Sequence, residues 1–332
     1  MTTPDPTTPV SVIMPVLNEE DYLGAAVAAV LAQDHQGPIQ LVLALGPSRD
    51  QTSQVARSMA EKDSRITLVE NPSGRTPAGL NLAIAAATSQ IIVRVDGHTK
   101  LPTNYVSTAL RVLAQTGAAN VGGVMAAEGE TPFEKAVAAA MRSPLGVGPA
   151  RFHVGGQAGP ADTVYLGVFQ KSALEQVNGY DERFVRAQDW EMNHRIRESG
   201  GLVYFAPELS VSYRPRPSVR ALARQYFEYG RWRRVVIREN RQTVNLRYLA
   251  PPMALLGSIF GLVAGLTISP LLLALPAIYV IFLVTASLTI NAPTRVRPLL
   301  PIVLAVMQIS WGWGFLTSRK NLLPESVREF PL

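Results

Sequence analysis

The 332-residue chain contains no cysteine, which excludes a disulfide scaffold, thiolate metal sites and cysteine nucleophiles. That absence is compatible with a reducing cytosol but constrains the compartment only weakly. Charge is scarce as well. Asp, Glu, Lys and Arg make up 17% of residues against 47% hydrophobic ones, a balance that excludes a disordered chain. The first nine residues lack an apolar core and carry an acid at Asp5, so they read as a tail and not as a signal peptide or membrane anchor. What remains is long enough for one sizeable domain with an appendage.

The few charges are unevenly placed. Net charge is +6, and ten arginines stand against two glutamates between Ser210 and Arg247, whereas Tyr248 to Thr294 holds no Asp, Glu, Lys, Arg or His. A basic collar bordering a long apolar stretch points to a membrane surface and away from nucleic acid. The apolar part divides into spans near Leu249–Ile268, Leu271–Ile290 and Leu299–Thr317. Each is close to the ~20 residues that a bilayer core requires. The short connection at Ser269-Pro270 makes the first two a tight hairpin or a re-entrant pair. The collar puts the preceding region on the cytoplasmic side of an inner, plasma-type membrane, while Arg295, Arg297, Arg319 and Lys320 place positive charge at both ends of the third span.

Upstream of the collar, apolar runs alternate with helical stretches: Val10–Pro15, Glu19–Ala32, Ile39–Leu45 and Asp50–Lys62. This rhythm is that of βαβ units in an α/β sheet. Asn18 reads as the N-cap of a helix opened by Glu19 and Glu20, and Thr76-Pro77 as an N-cap and first helical residue. The run Gln90–Asp96 is a short strand ending in an acid, followed by a helix near Asn104–Ala114 and a strand near Ala119–Met125. A Gly/Pro-rich stretch from Ser143 to Pro160 reads as a mobile loop. A strand at Thr163–Gln170, a helix at Asp189–Glu198 and a strand at Leu202–Ala206 complete the pattern. The expected organisation is a tail (1–9), an α/β domain (10–213), a basic amphipathic interfacial region (214–248), about three transmembrane or re-entrant helices (249–317) and a second tail (318–332).

Three stretches carry candidate chemistry. Asp96-Gly97-His98 offers a carboxylate and an imidazole two positions apart beyond a strand, which suits a divalent ion with open positions for phosphate oxygens, or a turn aspartate beside an exposed histidine. Asp189-Trp190-Glu191 places two acids in the first turn of a helix, where a carboxylate can act as a general base or simply complement the helix dipole. Gln225–Trp232 mixes aromatics and arginines ahead of the apolar region, fit for stacking on sugars and binding phosphate or for the headgroup layer.

Taken in order, these stretches resemble the family 2 glycosyltransferases of the GT-A fold, within them the membrane-bound bacterial exopolysaccharide type similar to succinoglycan glucosyltransferases. The motifs that carry it are Val12-Ile13-Met14-Pro15 with Asn18-Glu19-Glu20, Gly74–Asn81, Arg94-Val95-Asp96-Gly97-His98, Gly167–Gln170, Asn178–Glu182, Gln188-Asp189-Trp190-Glu191 and Tyr229-Gly230-Arg231-Trp232. The likeness runs from Val10 to about Phe315.

The resemblance implies a Rossmann-like mixed sheet that binds a nucleotide-sugar donor, followed by all-α membrane segments. It implies donor contacts from Pro15, Val16, Asn18 and Glu19, from Asp50 after the second strand, and from Arg75, Asn81, Arg94 and Asp96. Arg231 and Trp232 would help hold donor or acceptor. Asp96 and His98 stand at the family's Asp-x-Asp metal motif, for Mn²⁺ or Mg²⁺. Asp189 matches the catalytic base of an inverting displacement, with Gln188, Trp190 and Glu191 facing the acceptor. The implied acceptor is a polyprenyl-diphosphate-linked saccharide, in cell-surface or exopolysaccharide synthesis, with membrane lipids as further partners and nucleic acid excluded.

Three departures from the family pattern bear on this, the first being that His98, a softer ligand that tolerates Mn²⁺, replaces the second acid of the metal motif. The Asp-Asp-Gly-Ser run that often follows the second strand is here Leu45-Gly46-Pro47-Ser48-Arg49-Asp50, which removes the usual base contact. The processive Gln-x-x-Arg-Trp motif is also absent, since five residues separate Gln225 from Arg231, which speaks for single additions. Alternative readings are a transferase that primes a polyprenyl phosphate and a non-catalytic nucleotide-sugar or glycan-binding scaffold of a membrane export complex.

Overall fold

A computed structural model describes Asp5 and residues 7–323; the remainder of the two expected tails lies outside the described residues. In chain order the elements are β1 (Val10–Val16), α1 (Leu23–Leu31), β2 (Ile39–Leu45), α2 (Thr52–Lys62), β3 (Ile66–Glu70), α3 (Thr76–Ala86), β4 (Ile91–Arg94), α4 (Tyr105–Thr116) and β5 (Asn120–Ala127). There follow α5 (Pro132–Met141), α6 (Pro144–Val147), α7 (Arg151–Val154), β6 (Gly159–Pro160), β7 (Tyr165–Gln170), α8 (Lys171–Gln176), α9 (Gln188–Glu198) and β8 (Val203–Tyr213). The chain closes with α10 (Val219–Glu239), α11 (Leu246–Thr267), α12 (Ala274–Thr289) and α13 (Leu300–Thr317).

Two compact units emerge, the first formed by residues up to 126 with 155–212, the second by 127–154 with the chain from 213 onward. The first unit is built on a mixed sheet of order β3-β2-β1-β4-β7-β5-β8-β6. Strands β1 to β4 are parallel, and β7 turns antiparallel against both β4 and β5. β1 and β2 are apolar on both faces because helices cover both faces. Val12, Met14 and Val16 point to one side with Leu23, Val27, Tyr105 and Ala109 of α1 and α4. Ile13 and Val42 point to the other with Leu80, Leu174, Met192 and Ile196 of α3, α8 and α9. A hydrogen-bonded polar ladder pins α9 to this second face: Asn120 Nδ2 donates to Asn193 Oδ1 (2.6 Å) and Asn193 Nδ2 to Thr163 Oγ1 (2.9 Å).

Several boundaries differ from the sequence expectation for local reasons. α1 starts at Leu23, because Asn18 adopts a left-handed conformation (φ 57°) and is not a cap. Arg75, not Thr76, precedes the first turn of α3, so Pro77 falls one position later. The stretch 143–160 is not a simple loop: Ser143 Oγ accepts from Leu145 N to open α6, and α7 and β6 follow. The strand expected at Leu202–Ala206 runs on to Tyr213.

In the second unit α10 lies along α13, and the contact is backbone to backbone. A Cβ on Gly230 would stand 2.0 Å from the Trp311 carbonyl oxygen, and one on Gly314 2.0 Å from that of Phe227. Arg238 Nη2 donates to the Ser318 carbonyl (2.8 Å), Ser318 Oγ donates to that of Arg231 (2.9 Å), and the Arg234 guanidinium lies over the Phe315 ring at 5.1 Å. Among the described residues three helical segments, Leu246–Thr267, Pro270–Thr289 and Arg297–Thr317, are long and apolar enough to cross a membrane. Their side chains are largely outward: Leu266, Leu271 and Leu288 are 74%, 84% and 67% exposed.

Candidate active site

β1 lies between β2 and β4, so the chain winds to one side after β1 and returns on the other. At such a reversal a crevice opens outside the carboxyl ends of the strands, where ligands bind in α/β sheets. Three loops meet that edge: the one after Val16, the one after Leu45 and the one after Arg94.

The first two are laced together. Asn18 N donates to Ser48 Oγ (3.0 Å) while Asn18 Oδ1 accepts from Arg49 N (2.8 Å). Glu19 N donates to Thr52 Oγ1 (2.7 Å), and Glu20 accepts from Gln51 N (2.5 Å). Asp50 is used the same way. Its Oδ1 accepts from the Thr52 hydroxyl (2.5 Å) and amide (3.1 Å), and its Oδ2 from Glu20 N (3.3 Å), so both oxygens serve the loop. The Thr52 hydroxyl bond, ahead of the backbone ones, holds the Asp50 carboxyl below its usual pKa.

Two more of the expected donor contacts act as internal braces. Asn81 Nδ2 donates to the Tyr180 carbonyl (2.8 Å) and Glu182 Oε1 (3.2 Å), and its Oδ1 accepts from Tyr180 N (2.7 Å). Asn81 thereby fixes the turn in which Gly179 adopts φ +65°. Arg94 ends β4 with its side chain 7% exposed, its Nη2 donating to Asp96 Oδ1 (3.1 Å) and its Nη1 to Asp189 Oδ1. Burial works against the guanidinium charge, but Asp189 and Asp96 outweigh it and hold its pKa above that of an ordinary arginine. The Tyr180 phenol beside it is buried, which pushes its pKa well up.

On the other side of Asp96, His98 Nδ1 lies 2.9 Å from Glu19 Oε1. A carboxylate on one ring nitrogen fixes the ring and its tautomer, the arrangement found behind metal-ligating histidines. Among the described residues no three His, Asp or Glu side chains converge into a closed metal site. A carboxylate and an imidazole two positions apart in the loop after β4 would leave the rest of an ion's shell to diphosphate oxygens and water.

α9 opens after Ala187, itself left-handed (φ 60°), so that Asp189 and Glu191 fall in the first turn. Asp189, 38% exposed, turns toward Arg94. Glu191 is buried and gripped by Arg195 through Nε (2.5 Å) and Nη2 (2.7 Å), and Trp190 stacks on His194 at 5.3 Å. Gln188 opens the helix and is half-buried. Pro15 is half-buried, Val16 buried and Arg75 exposed at the same edge. In the second unit Arg231 pairs with Glu228 (2.7 Å) and lies over the Phe227 ring at 5.5 Å, and Trp232 is buried.

The structure therefore brings Glu19, Arg94, Asp96, His98 and Asp189 together at one strand edge and leaves Asp50, Asn81 and Glu191 holding loops and helix. Tyr180 belongs beside this group. Its place in a short Asn-Gly-Tyr turn gave no chemical signal in the sequence.

A mixed α/β sheet with a switch point at β1 and acids at its carboxyl edge defines a ligand-binding crevice, and comparison with known proteins bears directly on it. The glycosyl transferase family 2 profile matches residues 11–177, and the chain belongs to that family. It is a glycosyltransferase of the GT-A fold. It is 28% identical over 312 residues to the succinoglycan biosynthesis protein ExoA of Rhizobium meliloti, covering 92% of this chain and 93% of that one. It is 24% identical over 318 residues to a Methanococcus voltae protein named as a dolichyl N-acetyl-α-D-glucosaminyl phosphate 3-β-D-2,3-diacetamido-2,3-dideoxy-β-D-glucuronosyltransferase, covering 92% and 95%. Among solved structures, a mannosyltransferase from Pyrobaculum calidifontis in complex with GDP-Man and Mn²⁺ superposes with a TM-score of 0.57 at 22% identity, over 97% of this chain and 90% of that one.

Proposed function

We propose that the protein is an inverting, metal-dependent transferase that adds one sugar from a nucleotide-sugar donor to a lipid-linked saccharide during cell-surface or exopolysaccharide synthesis. The observation that carries the reading is the convergence of Asp96, from the loop after β4, and Asp189, from α9, on the buried guanidinium of Arg94 at the strand edge. Asp189 accepts the proton of the acceptor hydroxyl, whose oxygen forms the new bond to the anomeric carbon. The bond from that carbon to the diphosphate breaks, and the nucleoside diphosphate leaves with the electron pair. One displacement inverts the anomeric centre. Asp96 and His98 would hold Mn²⁺ or Mg²⁺, which supplies charge neutralisation on the leaving diphosphate. Glu19 steadies His98, and the laced loops after β1 and β2 shape the nucleoside pocket.

The relatives support the substrate class. ExoA is named for succinoglycan biosynthesis, and the M. voltae protein for transfer to a dolichyl-phosphate-linked sugar, which favours a lipid-linked saccharide over a bare lipid phosphate. The three apolar helices provide the membrane anchor, and the arginines of residues 210–247 favour a cytoplasmic position for the nucleotide-binding unit.

The test is detergent-purified protein with Mn²⁺ and bacterial membrane lipid extract, screened across UDP-, GDP- and dTDP-sugars. Transfer of a single sugar, abolished in Asp189→Asn and in His98→Ala, is the expected result. An Asp189→Asn variant with undiminished transfer would remove the base assignment and leave the scaffold reading.

A further inference from the structure

We infer that Arg94 is a positioning residue that sets the base Asp189 in register with Asp96, so that the acceptor side and the donor side of the crevice are held by one side chain. The inference rests on Asp189 being the base, as proposed above. Arg94 ends an interior strand of the first unit: β4 is paired with β1 on one side and β7 on the other, and Arg94 itself stands opposite Ile13 of β1. Its side chain, 7% exposed, is turned to the two carboxylates, which it engages with different nitrogens. Asp96 and Asp189 keep 23% and 38% exposure, so each presents a face outward while being held from behind.

Asp189 needs such a support. It lies one residue from the helix start, after a left-handed Ala187, where the first-turn amides have no intrahelical partners and the chain is least constrained. Stability alone does not account for the arrangement, because the desolvation of a buried ion pair offsets most of its attraction. Nor does lysine replace arginine here. A planar fork spans two carboxylates at fixed geometry, whereas an ammonium is a single point charge. A base displaced by about 1 Å loses on the order of 100-fold in rate.

The full chain in detergent is compared as wild type, Arg94→Ala, Arg94→Lys, Asp189→Asn and the Arg94→Ala/Asp189→Asn double variant. Hydrogen–deuterium exchange over residues 183–192 needs no substrate and is expected to speed up about tenfold in both Arg94 variants, with β1 and β2 unchanged. Transfer from the UDP-, GDP- and dTDP-sugar panel is expected to lose about 100-fold in kcat, with a smaller rise in donor KM, about tenfold or less, because Asp96 also loses its partner. Methylguanidinium at millimolar concentration should restore Arg94→Ala and not Arg94→Lys. The double variant should be no slower than Asp189→Asn, as expected for residues acting as one unit. Wild-type kcat in Arg94→Lys, unchanged exchange over 183–192, or a donor KM that rises as far as kcat falls would each overturn the inference, the last by making Arg94 a donor contact. Full activity in Asp189→Asn would remove the base assignment independently of any Arg94 result, and with it the coupling.

Discussion

Glu134 offers the most quantitative prediction. It stands at the third position of α5 with its side chain fully buried, and the Thr131 hydroxyl accepts from its amide (3.2 Å). Its Oε2 accepts from the amides of Thr131 (2.8 Å) and Glu130 (3.0 Å), and its Oε1 from Arg214 Nε (2.9 Å). The Thr131 amide foremost, with Arg214 and the Glu130 amide, lowers its carboxyl pKa to about 2 from an ordinary 4.5. Because the folded value is depressed, the stabilisation is complete above the unfolded pKa and is lost as pH falls toward the folded one. The shift corresponds to about 3 kcal/mol at neutral pH, and screening at the half-exposed Arg214 reduces this to about 2 kcal/mol. Glu134→Gln keeps one acceptor for the cap but turns an amide N–H toward Arg214, so it should forfeit that amount, a drop in Tm of roughly 4–8 °C at pH 7. Thermal unfolding in detergent, followed by intrinsic fluorescence, measures the difference. It should narrow by roughly a quarter at pH 4 and by more than half at pH 3. A Tm within about 1 °C of wild type at pH 7, or a gap that widens in acid, would refute the reasoning.

Three further outcomes are expected. Gly179→Ala puts a Cβ at 2.6 Å from Asn81 Oδ1 at a left-handed position, and should cost about 1–3 kcal/mol in thermal stability while lowering kcat through the displaced Tyr180 turn. Glu19→Gln removes the carboxylate behind His98 and should weaken Mn²⁺ binding about tenfold in a titration made without substrate. Gly314→Leu forces α13 off the Phe227 carbonyl and should abolish the monodisperse peak in detergent gel filtration, whereas the wild type should resist alkaline carbonate extraction from membranes and dissolve only in detergent.

The βαβ rhythm was legible because β1 and β2 are apolar runs broken only by Ser11 and Gln40, and the three apolar helices because nothing charged falls within Tyr248–Thr294 or Leu299–Thr317. β3 was not: Ile66–Glu70 is short and half-exposed, with no apolar run to mark it. α5 escaped notice although Thr131 and Glu134 form a capping box, since its alanine-rich body shows little periodicity. In the candidate site, motif order is what singled out Asp96, His98 and Asp189, and the structure adds which side chains they touch. The destinations of Arg94, Asn81 and Asp50 did not, because side chains that brace a loop and side chains that face a ligand look alike in sequence. Only the pairing of residues 95 positions apart, as in Arg94 with Asp189, separates the two.

The course of the chain through its two units bears on how the protein is made. Residues 127–154 leave the first unit, join the second and return, and α5 within them packs against α13. α13 is synthesised about 160 residues after α5, an interval of roughly 8–30 s at ordinary translation rates. Throughout it the part of α5 that packs on α13 lacks that partner, and for about the first half of it Glu134 awaits Arg214. Stopping the chain at Ser212 would make that wait permanent. The first unit is therefore not obtained by truncation at Ser212, because that chain still carries 127–154 without the rest of the second unit.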